Sequence, residues 1–188
     1  MTSGPRSWAT TLSCVNCAIT AEQNQLLTSP FTDEEIKLAS QQLGSLKSPG
    51  PDGFPGLFYQ SFWETVAPTV ISASHCFQSS NPNMVNLNRT NITLIPKVPN
   101  PETVSQFRPI SLCNNSYKII SKVLANRLKI LLPNLISEQQ SAFVPGRQIQ
   151  DCILIAHEAF HYLRIKKSSE KFELGLKVDM NKAYDRVE

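Results

Sequence analysis

The chain has 188 residues, of which 41% are hydrophobic and 18% are charged, and it carries a formal net charge of +3. A chain of this size can bury one core or form part of a larger domain. It contains no apolar run of about 18 residues and no apolar N-terminal core, so neither a membrane span nor a secretory signal is expected, and an intracellular protein is predicted. The cysteines are scattered and odd in number, which predicts free thiols: Cys14, Cys17, Cys76, Cys113 and Cys152.

Basic residues are concentrated in the middle of the chain. Between Arg89 and Arg147 there are eight basic and two acidic residues, a local charge of +6 that leaves −3 for the rest. A segment this basic is typical of a surface that binds a polyanion, although a solvated helix face can give the same count. One hypothesis is therefore a nucleic-acid-binding module without catalysis.

The first 20 residues show no hydrophobic period and are predicted to be a disordered tail. Thr32 and Glu35 then form the capping box that begins a helix, and the apolar stripe after them predicts a helix over Asp33–Leu46. The next segment, Lys47–Gly53, contains two prolines and two glycines. This composition predicts a loop whose backbone closely approaches some other group; a simple turn is the alternative, although a turn alone would not need Lys47 at its rim.

An aromatic-rich segment, Phe54–Ser80, has helical spacing and is predicted to form two helices that are separated near Pro68. Its aromatic residues are predicted to lie in the core: Phe54, Phe58, Tyr59, Phe62, Trp63 and Phe77. Two short segments follow, Asn91–Lys97 and Arg108–Leu112, and both are predicted strands with a loop between them.

A long helix is predicted over Asn114–Leu132. Lys118, Lys122 and Lys129 are spaced by four and seven residues and therefore share one helix face, which suits a phosphate backbone. Six apolar residues are predicted to face inward: Ile119, Ile120, Val123, Leu124, Leu128 and Leu131.

A further helix, predicted over Ile149–Lys166, contains the HExxH pattern of zinc proteases. His157 and His161 lie one turn apart on one face, and Glu158 could serve as a base. A third ligand would have to come from Glu170, Glu173 or the end of the chain. A zinc hydrolase is therefore a second alternative function, set against the simpler reading of two histidines on an outer helix face.

The hydrophobic period changes near Asp179. Residues 174–178 alternate as in a strand with one buried face, whereas the apolar residues of 180–187 have helical spacing. Asp179 is thus predicted at a strand-to-helix junction, where a fixed carboxylate can bind a hard divalent cation such as Mg²⁺. A helix cap is the alternative role for this residue.

Six ordered blocks resemble the reverse transcriptase of non-LTR (LINE-type) retrotransposons, especially the plant forms. The blocks are FTDEEIKLA (Phe31–Ala39), KSPGPDGFPGLFY (Lys47–Tyr59), TLIPK (Thr93–Lys97), FRPISLCNNSYKIISKVLANRLK (Phe107–Lys129), ISEQQSAFVPGRQIQD (Ile136–Asp151) and KVDMNKAYDRVE (Lys177–Glu188). The resemblance implies an α+β fold, the helix-rich fingers and incomplete palm of a right-hand polymerase, with the histidine helix as palm scaffold. It also implies an RNA-directed DNA polymerase activity that uses Mg²⁺.

The same resemblance implies an RNA template, a DNA primer and dNTPs as partners, a nuclear location, and neither a membrane association nor an obligate protein partner. Asp179 corresponds to the first catalytic carboxylate, and the carbonyl of Met180 would help to hold the metal. Tyr184 corresponds to the aromatic residue that packs under the deoxyribose and rejects a 2′-hydroxyl group. Further residues are implied in contacts to template, nucleotide or phosphate backbone: Arg108, Lys118, Lys122, Gln140 and Arg147.

The sequence departs from the family pattern in two places. Asp151 is followed by Cys152, where the family usually has an asparagine. The reverse transcriptase domain, expected over residues 21–188, also stops at Glu188, ahead of the paired aspartates that supply the other metal carboxylates. We therefore expect this polypeptide alone to be inactive in polymerisation.

Overall fold

The computed structural model of the chain describes residues 18–79, 87–166 and 173–178. The chain divides into two compact units, Met1–Leu135 and Ile136–Glu188. The described elements of the first unit are five helices and two strands: α1 Ala21–Thr28, α2 Asp33–Gln41, α3 Gly56–Ser61, α4 Trp63–Gln78, β1 Thr90–Pro96, β2 Phe107–Cys113 and α5 Asn115–Leu135. The second unit contains α6, Ile149–Ile165. This mixture of helices and a small antiparallel sheet confirms the α+β class.

Helix α2 begins at the predicted capping box. The Thr32 hydroxyl accepts a hydrogen bond from the Glu35 backbone N–H at 3.2 Å, and the Glu35 carboxylate accepts one from the Thr32 N–H at 2.9 Å. The helix ends at Gln41, five residues before the predicted end at Leu46. The side-chain amide of Gln60 donates to the carbonyl of Gln41, the last helix residue, and to that of Leu43 just beyond it, which satisfies one helix-end acceptor.

Helix α2 also lies at the centre of the first unit, where it packs against α3, α4 and α5. Its Ile36 and Ala39 are fully buried. Complete burial of a side chain such as Ile36 contributes about 1.5–3 kcal/mol. The core around them is formed by Phe31, Tyr59, Trp63, Val70, Ile119, Ile120 and Val123.

The aromatic segment departs from its prediction in two ways. The break between its helices falls at Phe62, whose backbone (φ −111°, ψ 26°) is not helical, whereas Pro68 lies inside α4. The expected aromatic core is correct for Tyr59 and Trp63 but wrong for Phe54 and Phe62, which are about half exposed. Phe58 stacks against both of these exposed rings, with centroids 4.5 and 5.5 Å away, so much of the aromatic cluster lies at the surface.

Strands β1 and β2 form an antiparallel pair and confirm the two short strands predicted there. The register runs from Thr90 opposite Cys113 to Pro96 opposite Phe107, and a 3₁₀ turn at Val104–Gln106 precedes β2. Most residues of the pair are exposed on both faces. The chain then passes directly from β2 into α5, so the end of this sheet fixes where α5 begins.

The inward face of α5 is rotated from the predicted one. Ile119, Ile120, Val123 and Leu131 are buried as expected, whereas Leu124 and Leu128 are each 42% exposed. Arg127 lies on the buried face instead and is only 6% exposed. The prediction was wrong at these two leucines: the buried stripe continues from Ile119 and Val123 through Arg127 to Leu131, and Arg127 is ion-paired with Glu35.

In the second unit, α6 matches its predicted start and has no buried residue among those described. The strand predicted over 174–178 is not present: residues 173–178 have no regular structure, and Leu174, Leu176 and Val178 are exposed. Alternation predicts a strand only where a second strand completes the ladder. The described residues provide none beside this segment, since their sheet consists of β1 and β2.

Candidate functional site

A cleft of about 480 Å³ lies between the segment that follows α2 and the first half of α5. Three lysines line it, Lys47, Lys118 and Lys122, and none of the other described lining residues is acidic. Positive charge without a compensating carboxylate raises the local potential and attracts anions. This three-lysine cleft is where the structure brings together part of the basic middle segment.

The helix and a loop each contribute to the cleft. Lys118 and Lys122 lie one turn apart on α5, so their side chains leave the helix on the same side. Lys47 enters from the loop Lys47–Gly53. Lys118 Nζ donates to the carbonyl of Ser48 at 3.2 Å, which joins the helix lysine directly to that loop. Tyr117 also lines the cleft.

The loop is held against the start of α5 by two asparagines. Asn114 Oδ1 accepts from the Asp52 N–H at 3.2 Å, and Asn115 Nδ2 donates to the Phe54 carbonyl at 2.7 Å. Gly50 is buried where the loop passes the end of β2, and a Cβ there would overlap Asn114. The predicted close approach of this loop is confirmed, and it explains why residue 50 is a glycine.

Tyr59, a buried core residue, lies next to Asp52 of the same loop. Burial raises the pKa of the Tyr59 phenol, and the nearby Asp52 carboxylate raises it further because it disfavours a second negative charge. Asp52 Oδ1 in turn accepts from the Phe54 N–H at 3.1 Å, which closes the turn. The end of the loop is therefore packed onto the core of the first unit.

Two other predicted basic contacts of the first unit lie away from the cleft. Lys129 is exposed on α5 and is seven residues beyond Lys122, roughly 10 Å along the helix axis. Arg108 is exposed on β2, opposite Ile95 of β1. Neither lines the cleft, so the structure separates the predicted basic residues into distinct positions.

Arg147 and Gln140 belong to the second unit. The Arg147 guanidinium donates to the carbonyls of Ile136, Ser137 and Gln140, so it holds the turn that precedes α6. The Gln140 side chain contacts the Ala142 carbonyl at 3.5 Å. These bonds give Arg147 a structural role, and its predicted contact to a phosphate backbone stays a prediction.

Arg147 also lines a second cleft, of about 590 Å³, together with Glu138, Asp151 and Cys152. Cys152 occupies the position of the usual asparagine, and its thiol donates to the Gln139 carbonyl at 3.4 Å. A weak thiol donor thus makes the local hydrogen bond. This cleft contains two carboxylates, which distinguishes it from the three-lysine cleft.

The residues predicted to bind a metal lie partly within the described residues and partly outside them. His157 and His161 are exposed on α6, and Glu173 forms an ion pair with Lys166 at 2.7 Å. Within residues 18–79, 87–166 and 173–178, no group of three or more His, Cys, Asp or Glu side chains could hold a metal ion. Asp179, Met180 and Tyr184 lie outside the described residues, as do residues 1–17 of the predicted tail.

Sequence reasoning missed a buried charge cluster on the other side of α5. Arg127 forms a two-pronged ion pair with Glu35, with both N···O distances at 2.7 Å. Its remaining donors reach the carbonyls of Leu27, Ser29 and Pro30 at 3.3, 2.6 and 2.8 Å. The Arg127 guanidinium lowers the pKa of Glu35, because it stabilises the ionised carboxylate.

One sequence signal could have revealed this cluster. Arg127 lies four residues from Val123 and four from Leu131, in the middle of the apolar stripe of α5. A charged residue in such a stripe is seldom buried unless it is paired. One of the eight basic residues of the middle segment is therefore neutralised inside the fold.

Comparison with known proteins agrees with the sequence blocks. The family described as reverse transcriptase (RNA-dependent DNA polymerase) matches residues 95–188, half of the chain. The chain is 31% identical over 170 residues to the uncharacterized 149 kDa protein of transposon TX1 from Xenopus laevis, a match that covers 90% of this chain and 13% of that protein. It is 25% identical over 158 residues to the retrovirus-related Pol polyprotein of the type-1 retrotransposable element R2 from Popillia japonica, which covers 84% of this chain and 21% of that protein.

None of the helices in the described part of the chain is long and apolar enough to cross a membrane. The chain spans about an eighth and a fifth of the two curated relatives that it matches. The order of the blocks, the family match and these two relatives agree on one assignment. The chain belongs to the reverse transcriptase family, and it is similar to proteins of the transposon TX1 and of the retrotransposable element R2.

Proposed function

We propose that the three-lysine cleft binds phosphate groups of the nucleic acid on which a LINE-type RNA-directed DNA polymerase acts. The observation that carries this proposal is the convergence of Lys47, Lys118 and Lys122 on one cleft with no acidic residue among its described lining residues. The nucleic acid would be the RNA template with its DNA primer. The complete protein would act in the nucleus.

The physical argument concerns how phosphate is bound. A protein that neutralises phosphates releases condensed counterions, so its affinity falls steeply as the salt concentration rises. Lysine ammonium groups make such contacts as point charges, without the planar fork of arginine. Lys118 uses one donor on Ser48, and an ammonium group has three. The loop and the helix thus offer ammonium groups from two sides of the cleft.

For the catalytic part of the family activity, we propose that Asp179 and the Met180 carbonyl hold Mg²⁺. A carboxylate and a backbone carbonyl are the hard oxygen donors that Mg²⁺ prefers, so these two residues suit the ion chemically. When bound, the metal would neutralise charge on the phosphates of the incoming dNTP. Tyr184 would pack against the sugar and exclude a 2′-hydroxyl group, while Arg108 would contact template or nucleotide.

The test compares two lysines on the same face of α5. Lys122→Gln removes a charge inside the cleft, and Lys129→Gln removes the same charge seven residues away from it. Fluorescence anisotropy with a labelled single-stranded RNA should show binding weakened about tenfold for Lys122→Gln, as expected for the loss of one charge-assisted hydrogen bond. The slope of log affinity against log salt should fall by about 0.7.

Lys129→Gln should change both quantities less. Equal losses in the two variants would show that the RNA senses only the overall charge of the protein. An unchanged affinity in Lys122→Gln would contradict the assignment of the cleft.

A further inference from the structure

The loop Lys47–Gly53 is tied to the start of α5, and its first residue, Lys47, also donates its backbone N–H to the Gly44 carbonyl at 3.2 Å. Three bonds tie them together: Asp52 N–H to Asn114 Oδ1, Asn115 Nδ2 to the Phe54 carbonyl, and Lys118 Nζ to the Ser48 carbonyl. Together with the close packing of Gly50 against Asn114, they span the loop from its second residue to the residue after its end. Lys47, which the loop carries into the cleft, is itself exposed.

Asn115 is the most buried member of this set. It is only 3% exposed, and the hydrogen bond from its side-chain amide to the Phe54 carbonyl is the shortest of the three. Burial of Asn115 makes the bond matter more, since a buried side-chain amide that loses its acceptor carries a desolvation cost. The loop contains two glycines, and ordering them costs conformational entropy. The hydrogen bonds to the start of α5 offset this cost. Asn115 therefore bonds to the residue that follows a loop in which two glycines are flexible and two prolines restrict the backbone.

We propose that Asn115, assisted by Asn114, is a positioning residue that places Lys47 in the three-lysine cleft and so prepares the cleft for nucleic acid. This inference rests on the proposed function, because it assigns a role to residues behind the same cleft. Asn115 lines the cleft, but its side-chain N–H donates to the backbone carbonyl of Phe54, next to the loop. Its contribution to binding should pass through Lys47 and leave Lys122, which α5 positions by itself, unaffected.

This dependence is measurable by double-mutant cycles on the full chain. RNA affinity is measured for Lys47→Gln, Asn115→Ala and the double variant, and for the corresponding set with Lys122→Gln. If Asn115 acts through Lys47, each single variant of the first cycle should weaken binding about fivefold and the double variant should also lose about fivefold rather than about 25-fold. In the second cycle, the fold losses in RNA affinity of Asn115→Ala and Lys122→Gln should multiply in the double variant.

A residue with a merely structural role would reduce affinity by the same factor in both cycles. Multiplicative losses in the Lys47 cycle would therefore overturn the inference. Should Asn115→Ala fail to fold, Asn114→Ala removes the bond to Asp52 at a less buried position and is expected to show the same coupling to Lys47 and none to Lys122.

The outcomes also separate this inference from the proposed function. If Lys122→Gln leaves RNA binding unchanged, the proposed function fails. If Lys122→Gln weakens binding but Asn115 and Lys47 act independently, the cleft assignment stands and only the positioning role is wrong.

Discussion

The two sides of helix α5 use positive charge in opposite ways. On the inward side, Arg127 is 6% exposed, and its guanidinium makes five hydrogen bonds to Glu35 and three backbone carbonyls. On the cleft side, Lys118 and Lys122 line an open space together with Lys47. The planar fork of arginine can satisfy every donor inside a protein, whereas a lysine ammonium is better suited to solvent and mobile phosphates. A count of basic residues alone cannot distinguish these two uses.

The largest expected effect is the loss of the inward charge. Arg127→Ala would leave Glu35 without its partner and the carbonyls of Leu27, Ser29 and Pro30 without donors. Removing one partner of a buried ion pair typically costs about 3–5 kcal/mol, and the partial exposure of Glu35 favours the lower end. The free energy of unfolding from urea titration should fall accordingly.

Arg127→Lys provides the matched control for this experiment. It keeps the positive charge but loses the two-pronged geometry, so its loss of stability should be intermediate. A full recovery by lysine would mean that only the charge at this position matters, and a negligible effect of alanine would contradict the structural role of Arg127.

A smaller effect is expected from pH, through Glu35. Because Arg127 lowers the pKa of Glu35 in the folded protein, the ionised carboxylate stabilises the fold at pH values above the ordinary value of 4.5. This stabilisation should disappear as the pH falls below 4.5 and through the lowered pKa of the folded state. The difference in free energy of unfolding between the parent protein and Glu35→Gln should therefore shrink across this acid range.

Glu34→Gln is the control, because Glu34 lies in the same first turn of α2 but is exposed. Its stability difference from the parent protein should change less with pH. If Glu35→Gln and Glu34→Gln follow the same pH curve, the ion pair with Arg127 does not govern the acid sensitivity of the unit.

Much of this arrangement could be predicted from local sequence signals. The capping box at Thr32 and the two short strands depend on nearby residues, and the composition of Lys47–Gly53 indicates a loop; each is present. The burial of Arg127 in place of Leu124 or Leu128 could not be predicted in this way, because Arg127 pairs with a residue 92 positions earlier in the chain. The break at Phe62 instead of Pro68 and the missing strand at 174–178 likewise depend on tertiary context.

The sequence predicted that lysines form the candidate site but not which lysines line it. Helical spacing placed Lys118, Lys122 and Lys129 on one face, yet only the first two line the cleft. Lys47 was recognised only as part of a loop, since no local pattern reveals that this loop folds onto the start of α5. The roles of Asp179, Met180 and Tyr184 rest on family resemblance and stay predictions.

The most direct test of the account is lysine footprinting of the unmodified chain by reductive methylation and mass spectrometry, with and without saturating single-stranded RNA. We predict that RNA protects Lys47, Lys118 and Lys122 from methylation, while Lys129 reacts equally in both conditions. Equal protection of Lys129 and Lys122, or no protection of the three cleft lysines, would contradict the claim that the three-lysine cleft holds the nucleic acid.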